Sequence, residues 1–315
     1  MSARSRKVTS SDGTQLAVYE SGAADAPTVV LVHGFPDNHH LWDDIVDLLE
    51  DDFHVVTYDV RGAGASGKPA GRSAYRMRQL IDDLLAVLDA VSPDRPVHLV
   101  GHDWGSIQSW PAITDDRTAG RVATFTSLSG PSLDYAALWV RQVRQHPRAS
   151  LRQFMSSYYV ALFQLPRLPE LAAKRGAVER GARRVGRPSS DGAQRAAVAE
   201  DAKYGIQLYR ANMMRRLGRP RPVPVDLPVH LVVAEQDEPV TAEMVVGATR
   251  PWVADLTVSS VSGGHWTVNR EPVLIAGLIR DFVRSRATAG TRAQADATAA
   301  QMPTASSRAS RSSFR

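Results

Sequence analysis

The sequence predicts an α/β fold in which helices flank a mostly parallel central sheet and a helical segment is inserted. Short apolar segments of strand length alternate with segments of helical apolar spacing as far as Pro131. The strand pattern then stops, and it resumes only at Val229. Such alternation is typical of a parallel sheet that helices cover on both faces.

The strands and helices follow one another in a regular order. The segments with a strand pattern are 14–20, 27–33, 55–59, 96–100, 123–128, 229–234 and 256–258. Helices are predicted over 42–50 and 75–91, and another begins at Trp104. In the helix over 75–91, apolar side chains recur every three or four residues, at Met77, Leu80, Ile81, Leu84, Leu85 and Leu88.

These patterns divide the chain into a core, residues 1–130 and 223–285, and a helical insertion, residues 131–222, which we call the cap. The cap sequence is helical in pattern, rich in Arg and interrupted by prolines such as Pro147, Pro166 and Pro188. The last segment, 286–315, consists mainly of Ala, Thr, Ser, Arg and Gln. We expect it to be disordered, because it has too little apolar surface to offset the entropy of ordering.

Length and composition are those of a globular protein. The 315 residues are 43% hydrophobic, which suits one large α/β domain with an insertion. The chain has no cysteine, which excludes disulfides, thiolate metal sites and cysteine nucleophiles. No apolar run is long enough to span a bilayer and no secretory signal is visible, so we expect a cytoplasmic protein without stable membrane insertion. A monomer and a homodimer both stay open.

The formal net charge of +5 comes almost entirely from arginine. Neither zinc-finger spacing nor an RNA-binding aromatic motif accompanies these arginines, so we expect no nucleic-acid partner. A solvated basic surface is the favoured interpretation. A basic patch that meets acidic lipid remains the alternative.

The motif with the most chemical content follows the strand at 96–100 and reads Gly101-His102-Asp103-Trp104-Gly105. A strand, a tight turn and a helix in this order are the setting of a nucleophile elbow, in which glycines two residues before and two after permit a strained, exposed nucleophile. Asp103 occupies the nucleophile position. The simpler alternative is an Asp that caps the helix beginning at Trp104.

An aspartate nucleophile favours attack on a saturated carbon. There its carboxylate forms an ester that water can cleave, whereas a serine would leave a stable ether. Attack on a carbonyl carbon would instead give a labile anhydride. The elbow therefore predicts hydrolysis of epoxides or alkyl halides rather than of esters or peptides.

Two further residues occupy positions that suit partners of Asp103. Asp237 follows the strand at 229–234, and His265 follows the strand at 256–258. The chain order of nucleophile, acid and histidine is that of α/β-hydrolases, and the carboxyl ends of parallel strands are where α/β sites form. We predict a catalytic triad in which Asp237 orients His265 as the general base. Taken singly, each residue could be an ordinary turn or loop residue.

The segment His33-Gly34-Phe35-Pro36 also follows a strand. Its glycine lets the backbone approach a ligand closely, so the Phe35 N–H can face the reacting carboxyl group. The Trp104 N–H, directly after the nucleophile, is the predicted second donor of this oxyanion hole. The alternative is a structural Gly-Pro turn.

With these motifs the chain resembles the epoxide hydrolases of the α/β-hydrolase fold, over roughly residues 12–283. The matching core segments are 33–36, 59–66, 101–105, 234–237 and 264–266. In the cap, 157–166 and 208–213 resemble the motifs that carry the ring-opening tyrosines, which correspond here to Tyr159 and Tyr209. The core is also similar to the hydrolase half of mycobacterial epoxide hydrolases that are fused to a short-chain dehydrogenase, although no dehydrogenase domain is visible here.

The resemblance implies an enzyme that hydrolyses an epoxide to a vicinal diol through an ester on Asp103. The apolar side chains of the cap predict that this small-molecule substrate is lipophilic and larger than an epoxide of about two or three carbons. It implies neither a metal nor an organic cofactor. Tyr159 and Tyr209 would donate hydrogen bonds to the epoxide oxygen, although either could instead be a packed aromatic residue. The residues expected to contact the substrate are Phe35, Pro36, Trp104, Phe163 and Trp266.

Two other functions remain open. A haloalkane or haloacid dehalogenase would use the same nucleophile, but such enzymes usually have Asn where this chain has Phe35. A non-catalytic, ligand-binding relative of the hydrolases would not need the complete triad.

Overall fold

Eight strands form a single sheet in the computed structural model, counted over the residues that the structure describes, 4–187 and 192–301. Side chains are described for 4–187 and 198–286. The strands are β1 (Arg4–Thr9), β2 (Gln15–Ser21), β3 (Thr28–Val32), β4 (His54–Tyr58), β5 (Val97–His102), β6 (Val122–Leu128), β7 (Val229–Ala234) and β8 (Leu256–Val261). Their order across the sheet is β1-β2-β4-β3-β5-β6-β7-β8. β2 runs antiparallel to β1 and β4, and the other neighbouring pairs are parallel.

The α-helices of the described residues alternate with the strands in the core and follow one another without strands in the cap. They are α1 (Asp43–Leu49), α2 (Met77–Val91), α3 (Trp104–Ala112), α4 (Leu133–Arg141), α5 (Pro147–Ser156), α6 (Tyr158–Gln164), α7 (Leu168–Lys174), α8 (Ala177–Arg184), α9 (Gly192–Gly218), α10 (Ala242–Thr249), α11 (Thr267–Arg270) and α12 (Pro272–Gln301).

Helices pack on both faces of the sheet. In β3, Val30 and Val32 join the apolar cluster that includes α2 and α3, whereas Val29 and Leu31 join the cluster that includes α1 and α12. Successive side chains of a strand point to opposite faces, so a strand buried on both sides is apolar throughout. The predicted α/β fold, with a mostly parallel sheet between helices, is confirmed.

Strand β1 is absent from the sequence prediction. It lies at the edge of the sheet, and only Val8 of its six residues is buried. A basic, exposed edge strand lacks the alternation of apolar and polar residues on which strand prediction depends.

Helices α4–α9 lie between β6 and β7 in the chain, within the predicted cap. Two amide side chains fasten them to the core. Asn212 of α9 accepts a hydrogen bond from the Met77 N–H over 2.9 Å. Gln153 of α5 donates to the Pro239 carbonyl and accepts from the Thr241 N–H, each over 3.0 Å. The predicted helix breaker at residue 188 lies outside the described residues.

Helix α12 corrects the prediction for the C-terminal segment. It continues to Gln301, so the predicted disorder of 286–315 does not hold for 286–301. Ala, Arg and Gln have high helix propensity, which an argument from apolar content alone overlooks. Residues 302–315 lie outside the described part of the chain. None of the helices described here combines the length and apolar composition needed to cross a membrane.

Candidate active site

Asp103 lies in the tight turn between β5 and α3, with φ 50° and only 6% of its surface exposed. A positive φ is uncommon for a residue other than glycine and costs about 1–3 kcal/mol. The turn is also crowded, because a Cβ on Gly105 would stand 1.9 Å from the Val32 carbonyl oxygen and one on Gly101 would stand 2.6 Å from the Ser106 backbone. Two glycines thus permit the backbone conformation that presents the Asp103 carboxylate.

The loop after β3 supplies a hydrogen-bond donor to this carboxylate. The Phe35 N–H donates to Asp103 Oδ1 over 2.6 Å. Gly34 permits the approach, since a Cβ there would stand 2.4 Å from the same oxygen. His33 braces the loop: its Nε2 accepts from the Val60 N–H over 2.9 Å, so its Nδ1 carries the proton and donates to the Gly34 carbonyl.

Trp104 is the first residue of α3. Its backbone N–H therefore belongs to the first turn, whose N–H groups have no partner within the helix. This is the position that the predicted second oxyanion donor requires.

His265 and Asp237 lie beside the nucleophile. His265 Nδ1 donates to Asp237 Oδ2 over 3.0 Å, and His265 Nε2 is 3.5 Å from Asp103 Oδ2. The other oxygen of Asp237 accepts the Val240 N–H over 3.0 Å. Asp237 and His265 are each 3% exposed. The structure thus brings the three predicted triad residues together, with the imidazole between two carboxylates.

The two carboxylates govern the protonation of His265. Burial by itself would lower the pKa of the imidazole, but the charges and hydrogen bonds of Asp237 and Asp103 raise it to about 10. At neutral pH the resting site therefore holds an imidazolium ion.

The two predicted tyrosines lie close to each other and near the Asp103 carboxylate. Tyr159 is on α6 and Tyr209 is on α9, with 5.9 Å between their ring centres. Burial, together with the nearby Asp103 charge, raises the pKa of Tyr159 far above its usual range. Burial, the neighbouring Tyr159 and the Asp103 charge do the same for the pKa of Tyr209. Both phenols therefore keep their protons at any pH the protein would meet.

A cavity of about 550 Å³ connects these groups. Its lining includes Asp103, His265, Tyr159, Tyr209, Phe35, Pro36, Phe163 and Trp266. Trp104 is not among the residues that line this cavity, and its contact with substrate stays a prediction. The Trp104 side chain is 1% exposed and packs edge-on against Tyr209, with ring centres 4.9 Å apart.

Sequence reasoning missed the residues that hold this geometry. Asp37 accepts from Trp266 Nε1 over 2.8 Å and pairs with Arg187 Nε over 2.8 Å. His102 Nε2 donates to the His265 carbonyl over 2.9 Å. Their positions in the sequence could have identified Asp37 and His102, because Asp37 directly follows the segment 33–36 and His102 lies within the motif 101–105.

Arg210 was missed as well. Its Nε donates to the Phe163 carbonyl over 2.7 Å, and its Nη2 contacts Glu170 Oε2 over 3.0 Å. Arg210 thereby ties α9, next to Tyr209, to the end of α6, the helix that carries Tyr159. No group of three His, Cys, Asp or Glu residues that could hold a metal ion occurs in the described part of the chain.

Comparison with known families identifies the class. The family model described as "alpha/beta hydrolase fold" matches residues 27–270, so the chain belongs to that family. It is 39% identical over 292 residues to "Probable oxidoreductase EphD" of Mycobacterium tuberculosis (strain ATCC 25618 / H37Rv), covering 88% of this chain and 49% of that protein. It is 36% identical over 167 residues to "Epoxide hydrolase A" of the same strain, covering 53% of this chain and 49% of that one. The chain spans about half the length of these two relatives.

Solved structures share the fold. An epoxide hydrolase of Bacillus megaterium, in complex with an inhibitor, matches with a TM-score of 0.72 and 22% identity, covering 89% of this chain and 100% of that one. The epoxide hydrolase VrEH1 of Vigna radiata matches with a TM-score of 0.70 and 20% identity, covering 90% and 98%.

Proposed function

We propose that this chain is an epoxide hydrolase that converts a lipophilic epoxide to a vicinal diol through an ester on Asp103. One observation carries the proposal: a single cavity holds the Asp103 carboxylate, the His265 imidazole and two protonated phenols, Tyr159 and Tyr209. An epoxide oxygen leaves as an alkoxide and needs a proton, which phenols can supply and which a departing halide would not need. The name of one relative, Epoxide hydrolase A of Mycobacterium tuberculosis, points the same way.

In the first step, an Asp103 oxygen forms a bond to an epoxide carbon while the bond from that carbon to the epoxide oxygen breaks. The electron pair goes to the epoxide oxygen, which takes a proton from Tyr159 or Tyr209. The Phe35 N–H, 2.6 Å from Asp103 Oδ1, holds the carboxylate in place. The ester carries no charge, so His265 loses one of the two carboxylates that raise its pKa. The imidazolium then gives a proton to the phenolate of Tyr159 or Tyr209, and His265 becomes neutral.

In the second step, neutral His265 takes a proton from water, and the hydroxide adds to the carbonyl carbon of the ester. The Phe35 N–H stabilises the oxyanion that forms. The bond to the alcohol oxygen then breaks, the proton of the resulting carboxylic acid moves to that oxygen, and the diol leaves. The site ends as it began, with a carboxylate on Asp103 and an imidazolium on His265.

The test is to trap the ester. The His265→Gln variant is expected to react once with a terminal epoxide, and its intact mass should rise by one substrate mass on the peptide that contains Asp103. Wild-type protein should form diol over many turnovers without accumulating the adduct to the same level. The control is Asp103→Asn in the His265→Gln background, which should gain no mass. Diol formation by a folded Asp103→Ala variant at the wild-type rate would refute the proposal.

A further inference from the structure

The cap exposes large apolar side chains on α5, the helix whose last residue, Ser156, lines the cavity. On α5, Leu151, Phe154 and Met155 recur at helical spacing, so they share one face. Phe154 is 76% exposed and Met155 is 67% exposed. Large exposed apolar surfaces on soluble proteins mark sites that meet another apolar surface.

This apolar surface continues into the cavity. Tyr158, Leu162, Leu165 and Leu168 line the cavity and are also exposed to solvent. We call these four residues, with Leu151, Phe154 and Met155, the rim. The cavity that these four residues line also holds Asp103, so its lining joins the exposed apolar side chains to the nucleophile.

The sequence around the rim is strongly basic. Between residues 141 and 187 there are eleven Arg and Lys residues and only two acidic ones, Glu170 and Glu179. Glu170 pairs with Arg210, Glu179 pairs with Arg183 over 3.9 Å, and Arg187 pairs with Asp37, which still leaves this segment with a large excess of positive charge. Arg148 and Arg152, on α5 beside Leu151, are exposed.

We propose that the rim docks on an anionic lipid bilayer, from which a lipophilic epoxide passes directly into the cavity. Apolar side chains flanked by arginines are what a membrane interface with acidic headgroups binds, since the former enter the acyl boundary and the latter meet the phosphates. A second copy of this chain is a poorer occupant, because two-fold pairing would bring two positive surfaces together. The transfer of an epoxide rests on the proposed function, whereas the docking itself does not.

The test measures binding to vesicles of equal parts phosphatidylglycerol and phosphatidylcholine, and to phosphatidylcholine alone, by co-sedimentation. Wild-type protein is expected to bind the anionic vesicles at least tenfold more tightly. Two double variants that leave the cavity lining intact, Phe154→Ser with Met155→Ser and Arg148→Gln with Arg152→Gln, should each weaken that binding by about tenfold or more. The matched controls in the core are Val273→Ser, 72% exposed on α12, and Arg4→Gln with Arg78→Gln, and they should bind as wild type.

Activity separates the two proposals. Both double variants should hydrolyse a short, water-soluble epoxide at the wild-type rate, but should lose most of their activity on a long-chain epoxide held in anionic vesicles. Absence of turnover with every epoxide would refute the proposed function and leave vesicle binding to decide the docking. Equal binding to neutral and anionic vesicles would overturn the docking proposal. So would a wild-type protein that binds no vesicles and forms a dimer which the Phe154→Ser/Met155→Ser variant dissociates.

Discussion

Trp266 donates a hydrogen bond from its indole Nε1 to the Asp37 carboxylate over 2.8 Å. Trp266 follows His265, and Asp37 lies two residues after Phe35. One buried contact therefore joins the loop that carries the proposed base to the loop that carries the oxyanion donor. The same carboxylate pairs with Arg187 of the cap over 2.8 Å. Asp37 thus fixes the spacing of three segments around Asp103 without lining the cavity.

Replacing Asp37 is expected to lower kcat with little change in KM. Asp37→Asn keeps an acceptor for Trp266 but removes the charge that pairs with Arg187, so kcat should fall by about tenfold. Asp37→Ala should lower kcat further, because small misplacements of reacting groups slow a reaction. Steady-state kinetics on one epoxide measure both. The matched control is Asp115→Asn, a carboxylate that pairs with Arg117 outside the cavity, which should keep wild-type kcat. Equal losses in that control would assign the effect to general stability.

The hydrolysis of the ester should depend on pH through His265. A general base must be neutral, and the pKa of His265, about 10 in the resting site, falls when the ester removes the Asp103 charge. The rate of ester hydrolysis should therefore rise with pH through this lower pKa and then level off. In Asp237→Asn the rising limb should lie at still lower pH, with a smaller plateau. Single-turnover kinetics across this range measure the step, and a pH-independent rate would contradict the role of His265.

The two phenols should act together in ring opening. Removing one well-aligned hydrogen bond to a developing alkoxide typically costs about 10²–10³ in rate. Tyr159→Phe and Tyr209→Phe should each slow ester formation by up to this factor, and the double variant should be slower than either. Tyr204→Phe, on the same α9 but outside the cavity lining, is the matched control. Wild-type ring opening by the double variant would favour a dehalogenase, for which halide release is the assay.

The core and the triad were predictable because the signals are local and the sheet is regular. β3 is buried at all five positions, so it reads as a continuous apolar run. Asp103, Asp237 and His265 each follow a strand, and parallel strands bring their carboxyl ends to one edge. No such rule selects Tyr159 or Tyr209, because a tyrosine on an apolar helix face looks the same whether it packs or donates. Only the resemblance of their motifs singled them out.

The supporting contacts were not predictable, because their partners are distant in the chain. Asp37 and Trp266 are 229 residues apart, and Asp37 and Arg187 are 150 residues apart. Hydrophobic periodicity specifies which face of an element is buried but not which polar side chains meet across elements. For the same reason, Arg210 looked like another surface arginine in an arginine-rich cap.

Arg210 should matter for ring opening through the two helices that it joins. Arg210→Met removes the contacts to Phe163 and Glu170, so the tyrosines should lose alignment and ester formation should slow by about tenfold. Arg210→Lys should not restore the rate, since an ammonium group cannot reproduce the planar fork. Hydrolysis of an ester already formed should keep the wild-type rate. A purely structural role of Arg210 would instead slow both steps. The control is Arg216→Met on the same helix, which pairs with Asp134 over 2.9 Å.

The crowding of the elbow should make Gly105 a determinant of stability. A Cβ at Gly105 would stand 1.9 Å from the Val32 carbonyl oxygen, and the clash is with backbone that cannot rotate away. Gly105→Ala is therefore expected to destabilise the fold by about 3 kcal/mol or more, at the upper end for overpacked sites. Gly277→Ala on α12 is the matched control, because its Cβ would meet nothing within 4 Å. In a helix interior that change should stabilise by about 0.5–1 kcal/mol. Chemical denaturation of both variants measures the difference, and equal stabilities would mean that the elbow backbone can relax around a methyl group.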